Sequence, residues 1–237
     1  MEVEIWSDVV CPWCYIGKRR FEKALEQFPH REAVNVHWRS FELDPNAPQQ
    51  YPGTLNEMLA RKYGTTPGQA AQMNARVSGL AADEGLDYHL DEAKPSNTFN
   101  AHRLLHLAAE RGKQAEVKER LMRAYFTEGQ PVGDPETLAR LVAEAGLDAG
   151  EARAALATDE YADDVRADEE RAAMFGIRGV PFVVIDERYG VSGAQPTEVF
   201  LQALQTAWAA AQPLTLVGGD TDDTESAGAC TDDSCAI

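Results

Sequence analysis

Positive charge is what this chain has least of: 22 Lys and Arg stand against 39 Asp and Glu, a net charge of −17 over 237 residues. A surface of that sign repels nucleic-acid phosphates and anionic lipid, which argues against both as partners. Long apolar runs are also missing, since no stretch approaches the ~20 residues needed to cross a bilayer. The chain opens Met-Glu-Val-Glu-Ile-Trp, without the basic start and apolar run of a secretory leader, and a cytoplasmic location is the expectation. Cysteine is scarce, with four residues in two close pairs. A disulfide-stapled secreted domain would be shorter and denser in cysteine, so catalysis or metal binding is the better reading of these four. No internal repeat is evident. What is present, 44% hydrophobic and 26% charged residues, is the composition of an ordinary globular chain able to bury a core.

The pattern along the chain divides it into four parts. Val3–Ser7 alternates and is β-rich, and the run after Cys14 is helical, with apolar positions at Ile16, Phe21, Leu25 and Phe28 before Pro29 stops it. Val34–Phe41 is a second strand with Val34, Val36 and Trp38 on one face. Strand, helix, strand makes a βαβ unit and parallel pairing. After a Pro- and Asn-rich loop from Asp44 to Pro52, helices follow: Leu55–Tyr63, Gly68–Glu84, Thr98–Arg111, Glu116–Glu128, Pro135–Ala145 and a run from Gly150 to Phe175. Asp134 and Ser96-Asn97 are the cap candidates. Strand character returns at Pro181–Asp186, with Glu187–Gly190 as a turn and Val191 opening a partner strand; Thr197–Ala211 is amphipathic helix. Past Pro213 come Gly218-Gly219 and six acidic residues without a basic one, the composition of a flexible acidic tail. The expected organisation is residues 1–50 and 176–212 forming one α/β domain, 51–175 an all-helical insertion, and 213–237 the tail.

The chemistry centres on Cys11-Pro12-Trp13-Cys14. A thiolate is the nucleophile of disulfide exchange, and the free N–H groups and partial positive charge of a helix N-terminus stabilise it. Cys11 stands at that end, and Pro12 suits the first helical position because its missing N–H would be unpaired there. Cys14, one turn on, can attack a mixed disulfide formed on Cys11. The pair therefore reads as nucleophile and resolving thiol, with no metal required. The competing use of such spacing is half of a zinc site, which would need two further ligands. A second element is Gly179-Val180-Pro181-Phe182. Proline cannot donate to a sheet ladder, so Pro181 before a buried strand is either an edge residue or a cis-proline beside the cysteines that leaves Val180's backbone free for substrate.

Several motifs together carry a family resemblance: Trp6-Ser7-Asp8, Cys11 to Gly17, Arg39 to Leu43, Asn97 to Leu107 and Val191 to Gln195. They resemble the FrnE-type branch of the DsbA-like thioredoxin superfamily, related to 2-hydroxychromene-2-carboxylate isomerases and kappa-class glutathione transferases. The resemblance implies a thioredoxin-like α/β fold with a large all-helical insertion, sheet order 2-1-3-4, and a helical cap over Cys11. It also implies a cis bond before Pro181. Its isomerases and transferases carry a serine near the nucleophile's place and use glutathione, whereas this chain has both cysteines. Disulfide reductase or isomerase activity on thiol- or disulfide-containing proteins or small thiols is therefore expected, with no cofactor required and glutathione possible. A glutathione-dependent isomerase and a redox-inert chaperone are the alternatives. Asn97 and Asn100 are implied substrate contacts, because their segment lies near the active site in related isomerases.

Cys230 and Cys235 depart from the core pattern. Two thiols on a mobile tail could pass electrons to or from Cys11–Cys14 as an auxiliary redox pair. His102 and His106 share a helix face, but the metalloprotease pattern needs Glu where Arg103 stands, so they read as satisfied structural residues. The acidic run Asp159–Glu170 reads as a solvated helix face. Trp6, Trp38 and Trp208 read as core, and Trp13 as partly exposed beside substrate.

Overall fold

A computed structural model describes residues 1–211. Its centre is β1 (Glu2–Ser7), whose residues from Val3 onward are all buried. A strand covered on both faces needs apolar or fully paired side chains throughout. Val3, Ile5 and Trp6 are apolar, and the buried Glu4 carboxylate is held between the Arg39 and Arg171 guanidiniums. β1 pairs in parallel with β2 (Asn35–Ser40) and antiparallel with β3 (Phe182–Ile185), which pairs with β4 (Tyr189–Ser192). The order β2-β1-β3-β4 is the one the resemblance implied.

Helices α1 (Pro12–Gln27) and α9 (Thr197–Ala211) cover one face of the sheet. Phe21 of α1, Phe28 at its C-terminal end, and Phe200 and Leu204 of α9 close over Val3, Ile5, Val183 and Ile185. Burying each such side chain stabilises the fold by about 1.5–3 kcal/mol. The opposite face carries Trp6 and Val184, packed against Ala172 and Ile177. Between β2 and β3 the chain inserts α2 (Leu55–Tyr63), α3 (Pro67–Asp83), α4 (Phe99–Glu110), α5 (Gln114–Phe126), α6 (Pro135–Glu144), α7 (Ala149–Leu156) and α8 (Ala162–Met174). The largest core belongs to this helical block. It also takes in Cys11, Cys14, Tyr15 and Ile16, so the start of α1 is packed by the insertion while its later turns pack on the sheet.

Four expectations need correction. The run Gly150–Phe175 is two helices, because Arg103 of α4 donates to the carbonyls of Ala155, Thr158 and Glu160 and holds an intervening turn, with Tyr161 at φ 61°. β4 begins at Tyr189, since the turn is made earlier by Asp186 and Glu187 at φ 48° and 55°, with Arg188 N–H donating to the Ile185 carbonyl. The acidic run is not wholly solvated. Asp168 is buried, accepting from the Ser40 amide (2.8 Å) and facing Arg39 and His106 (3.0 and 3.2 Å). α4 starts at Phe99, and Asn97 alone of the cap candidates there bonds the helix, accepting from Phe99 N–H at 2.9 Å. Asp134 does cap α6, accepting from Thr137 N–H.

Gly17, buried within α1, is a weakness on propensity grounds, since glycine inside a helix costs roughly 0.5–1 kcal/mol relative to alanine. Close packing requires it here: a Cβ would lie 2.9 Å from Pro181 Cγ and 3.5 Å from Ala194 Cβ. The contact sets α1 directly on the segment before β3. Gly17→Ala should therefore destabilise the protein by about 1–3 kcal/mol, the cost of overpacking. Denaturant unfolding would show it, and a stabilised variant would mean that the contact yields freely.

Candidate active site

The site is assembled where β1 ends. Asp8 and the residues after it turn the chain, the Cys11 amide donates to the Asp8 carbonyl at 3.2 Å, and Cys11 becomes the N-cap of α1 with Pro12 at the first helical position. No side chain caps this helix, and no acidic residue stands in its first turn. Its free N–H groups and dipole are thus left uncompensated, facing the one residue placed to use them, Cys11. Cys14, one turn along, is buried, as is Cys11, and both thiols are free. Burial, then that neighbouring sulfur, hold the Cys14 thiol well above the ordinary cysteine range. Both sulfurs are buried, and they differ in position: Cys11 stands at the helix terminus and Cys14 one turn inside it.

The second element comes from the far end of the sheet. The Val180–Pro181 peptide bond is cis, and the Val180 carbonyl lies 3.7 Å from the Cys11 sulfur. Gly17 beneath the Pro181 ring sets this approach. Trp13, 41% exposed, stands beside the cysteines as expected of it. Pro12's carbonyl accepts from the Tyr88 hydroxyl at 2.8 Å, and the Tyr88 ring stacks on Phe126 at 4.6 Å. The loop carrying the cysteines is thus pinned from the helical block.

Beneath the cysteines lies a group of buried charges. Asp8 is 1% exposed; its carboxylate accepts from the Leu43 amide at 2.8 Å, and His102 Nε2 stands 3.4 Å away. Burial works against that carboxylate, but His102 and the Leu43 amide hold it below its usual range. Lys118 of α5 is fully buried, its Nζ donating to the Ser7 carbonyl at 3.3 Å and lying 5.5 Å from the Trp38 ring centre. Burial pulls this ammonium down to about 8, against the pull of Cys14, Asp8 and Cys11. Lys118 went unnoticed at the sequence level because its helix register alone does not mark it as buried. Asp8 was visible only as part of a motif.

Of the sequence-predicted residues, Cys11, Pro12, Trp13 and Val180 line one cavity of about 300 Å³. Pro181 is not among the lining residues and packs over Gly17 instead. Asn97 and Asn100 do not join them. The Asn97 side chain is turned to the Glu42 carboxylate and the Ala47 carbonyl, and Asn100 Oδ1 accepts from Arg103. Their neighbours Ser96 and Thr98 reach the cavity instead. His102 faces Asp8, and His106 faces Ser40 and Asp168. Cys230 and Cys235 lie outside the described residues.

Comparison with known proteins agrees with this architecture. A crystal structure of a probable DsbA oxidoreductase, SCO1869 from Streptomyces coelicolor, is 49% identical with a TM-score of 0.86, and the match covers 100% of this chain and 99% of that one. The uncharacterised protein YwbO of Bacillus subtilis is 30% identical over 207 residues, 86% of this chain and 96% of its own length. The fold is also shared with a 2-hydroxychromene-2-carboxylate isomerase, at 16% identity and a TM-score of 0.62, covering 89% of this chain and 95% of that one. Residues 2–205 match the family model described as the DSBA-like thioredoxin domain, and the chain belongs to that family.

Proposed function

We propose that this protein is a dithiol oxidoreductase of the disulfide reductase or isomerase type, with Cys11 as nucleophile and Cys14 as resolving thiol. The observation that carries the reading is Cys11 at an uncapped helix N-terminus with the free thiol of Cys14 buried one helical turn behind it. In the reduced protein the Cys11 thiolate attacks one sulfur of a substrate disulfide. A Cys11–substrate disulfide forms and the other substrate sulfur leaves as a thiolate, taking up a proton. Cys14 then loses its proton and attacks Cys11, forming the Cys11–Cys14 bond and releasing the second substrate thiol. Two electrons pass from the dithiol to the substrate, and the reverse sequence oxidises a substrate dithiol. No cofactor enters either direction, and substrates are thiol- or disulfide-containing proteins or small thiols. A cytoplasmic setting is part of the same proposal.

Each supporting residue has one task in this scheme. The Val180 carbonyl beside Cys11, with its amide unpaired to backbone among the described residues, offers an edge to an extended substrate. Lys118 supplies a buried positive charge on the Cys14 side, so the thiolate that must form there is stabilised without exposing it to water. Cys230 and Cys235 are proposed to exchange with the active pair. Eighteen residues lie between Ala211, the end of α9, and Cys230, a reach of roughly 60 Å when extended.

Three outcomes follow. Cys11→Ser should abolish reduction of insulin disulfides, and Cys14→Ser should accumulate a covalent adduct with substrate, visible by mass spectrometry; turnover by the first variant would remove Cys11 as nucleophile. Lys118 gives a pH test. Its folded value, about 8, lies below its ordinary 10.5, so the unfolded chain binds more protons between those limits and stability rises with pH there. Wild type should gain about 2 kcal/mol relative to Lys118→Met between pH 7 and 9.5, and a pH-independent difference would place the ammonium in water. Removing the chain after Gly219 should alter turnover or reduction potential, and identical values would retire the tail exchange.

A further inference from the structure

The cavity beside Cys11 is lined unevenly. On one side stand Cys11, Trp13 and Val180; on the other α2 and α3 present Leu55, Met58, Tyr63, Met73 and Val77. Among the described residues, six large apolar side chains are exposed: Trp13, Leu43, Tyr63, Met73, Met174 and Val199. The first four all line this cavity. Singly scattered apolar residues need no explanation, but a cluster at one opening marks a binding surface.

The helices behind the cluster are well specified yet poorly covered. Thr54 with Glu57 and Thr66 with Gln69 form capping boxes at the starts of α2 and α3, and Gly64 ends α2 at φ 64°. Only Leu55 and Ala60 of α2, and Ala70 and Ala81 of α3, are buried. Met58, Leu59, Val77 and Leu80 are only partly covered by the core they touch. Two methionines in such a wall suit a site that takes side chains of different shape, because the thioether chain repacks easily.

Charge decides against the small thiol that the fold would otherwise suggest. Glutathione brings two carboxylates and one ammonium. Among the lining residues Lys62 is the one cation, opposed by Asp8 and Asp44, within a chain of net charge −17. An extended polypeptide instead offers its backbone to Val180 and an uncharged side chain to the α2–α3 wall.

We infer that this cavity is a specificity pocket for an apolar side chain flanking the reacting cysteine of an extended polypeptide, and that it disfavours glutathione. The inference rests on the dithiol reading above and names the substrate class of that site. The Cys11–Val180 edge aligns the substrate backbone, and Trp13 with the α2–α3 wall encloses the neighbouring side chain.

The test uses the reduced full-length protein. Its probes are peptides of one sequence whose single cysteine is joined by a disulfide to a neutral small thiol, with Leu, Ser or Asp beside that cysteine, and glutathione disulfide. The Leu peptide should react with a single-turnover second-order rate constant about tenfold or more above those of the Ser and Asp peptides and glutathione disulfide, the scale on which an apolar pocket discriminates. Met73→Asp should bring the Leu/Asp ratio close to one, and so should Tyr63→Asp, a second variant at an exposed position (48% and 55%) should the first fold poorly. Met174→Asp, 77% exposed and outside the cavity lining, should leave the ratio unchanged. Equal rates across the peptides, or faster reaction with glutathione disulfide, would overturn the pocket while leaving the dithiol chemistry standing. Reaction with none of the disulfides would overturn the dithiol reading, and the pocket with it.

Discussion

The first N–H groups of α1 have no intrahelical partners, and the chain supplies neither a capping side chain nor a carboxylate to satisfy them. Four helices of this protein are treated otherwise: Thr54, Thr66, Asp134 and Asp148 each accept from a first-turn amide. An omitted cap costs about 1 kcal/mol. At α1 the omission leaves a local positive potential for the sulfur of Cys11, and the rest of the architecture serves to keep that sulfur in place. β1 does so from below. Because it is the strand buried on both faces, its end is the least mobile point from which the turn into α1 can start.

The helical insertion is tied to that point by polar groups as well as by packing. His102 of α4 faces Asp8, Lys118 of α5 reaches the Ser7 carbonyl, and Tyr88 holds the Pro12 carbonyl. Burying an ion costs several kcal/mol unless partners compensate it. Asp8 has the Leu43 amide and the His102 ring, while Lys118 has one carbonyl and the face of Trp38. The ammonium is therefore the less compensated of the two, which is why it is pulled toward neutrality. A charge so held responds to a new anion nearby, and the sulfur of Cys14 is where one would form.

How much of this was legible in the sequence follows from the range of the forces involved. Elements written by local signals were readable: the alternating β1, the Pro12 start and Pro29 stop of α1, the Asp134 cap of α6, and α9. The cysteine pair was readable because its spacing and its helix start are adjacent in the chain. Features set by distant partners were not. The break between α7 and α8 is held by Arg103, about fifty residues upstream, and nothing within residues 150–175 announces it. Asp168 sits in an acidic run that looks solvated, yet the Ser40 amide and Arg39 draw it inward. Asn97 and Asn100 were implied by resemblance, but Asn97 is turned to Glu42 and Ala47 and Asn100 to Arg103, so their place near the site does not make them part of its cavity.

Local rules fail here in one place more than elsewhere. A helix without a cap, a lysine without an acidic partner in hydrogen-bond contact, a glycine inside a helix under a proline ring, and four large exposed apolar side chains all surround the same two sulfurs. Three of these departures cost stability that a common substitution could recover: a capping residue at 11, methionine at 118, a polar residue at 63 or 73. Consistency across local propensity, packing and charge is what specifies a fold, and native chains depart from it chiefly where function requires. Four independent departures converging on Cys11 and Cys14 have a single common explanation in the chemistry of that pair. In the proposed chemistry the exposed apolar ring adds what the other three leave out: the cap, the ammonium and the glycine bear on how a sulfur reacts, and the ring on which sulfur is brought to it.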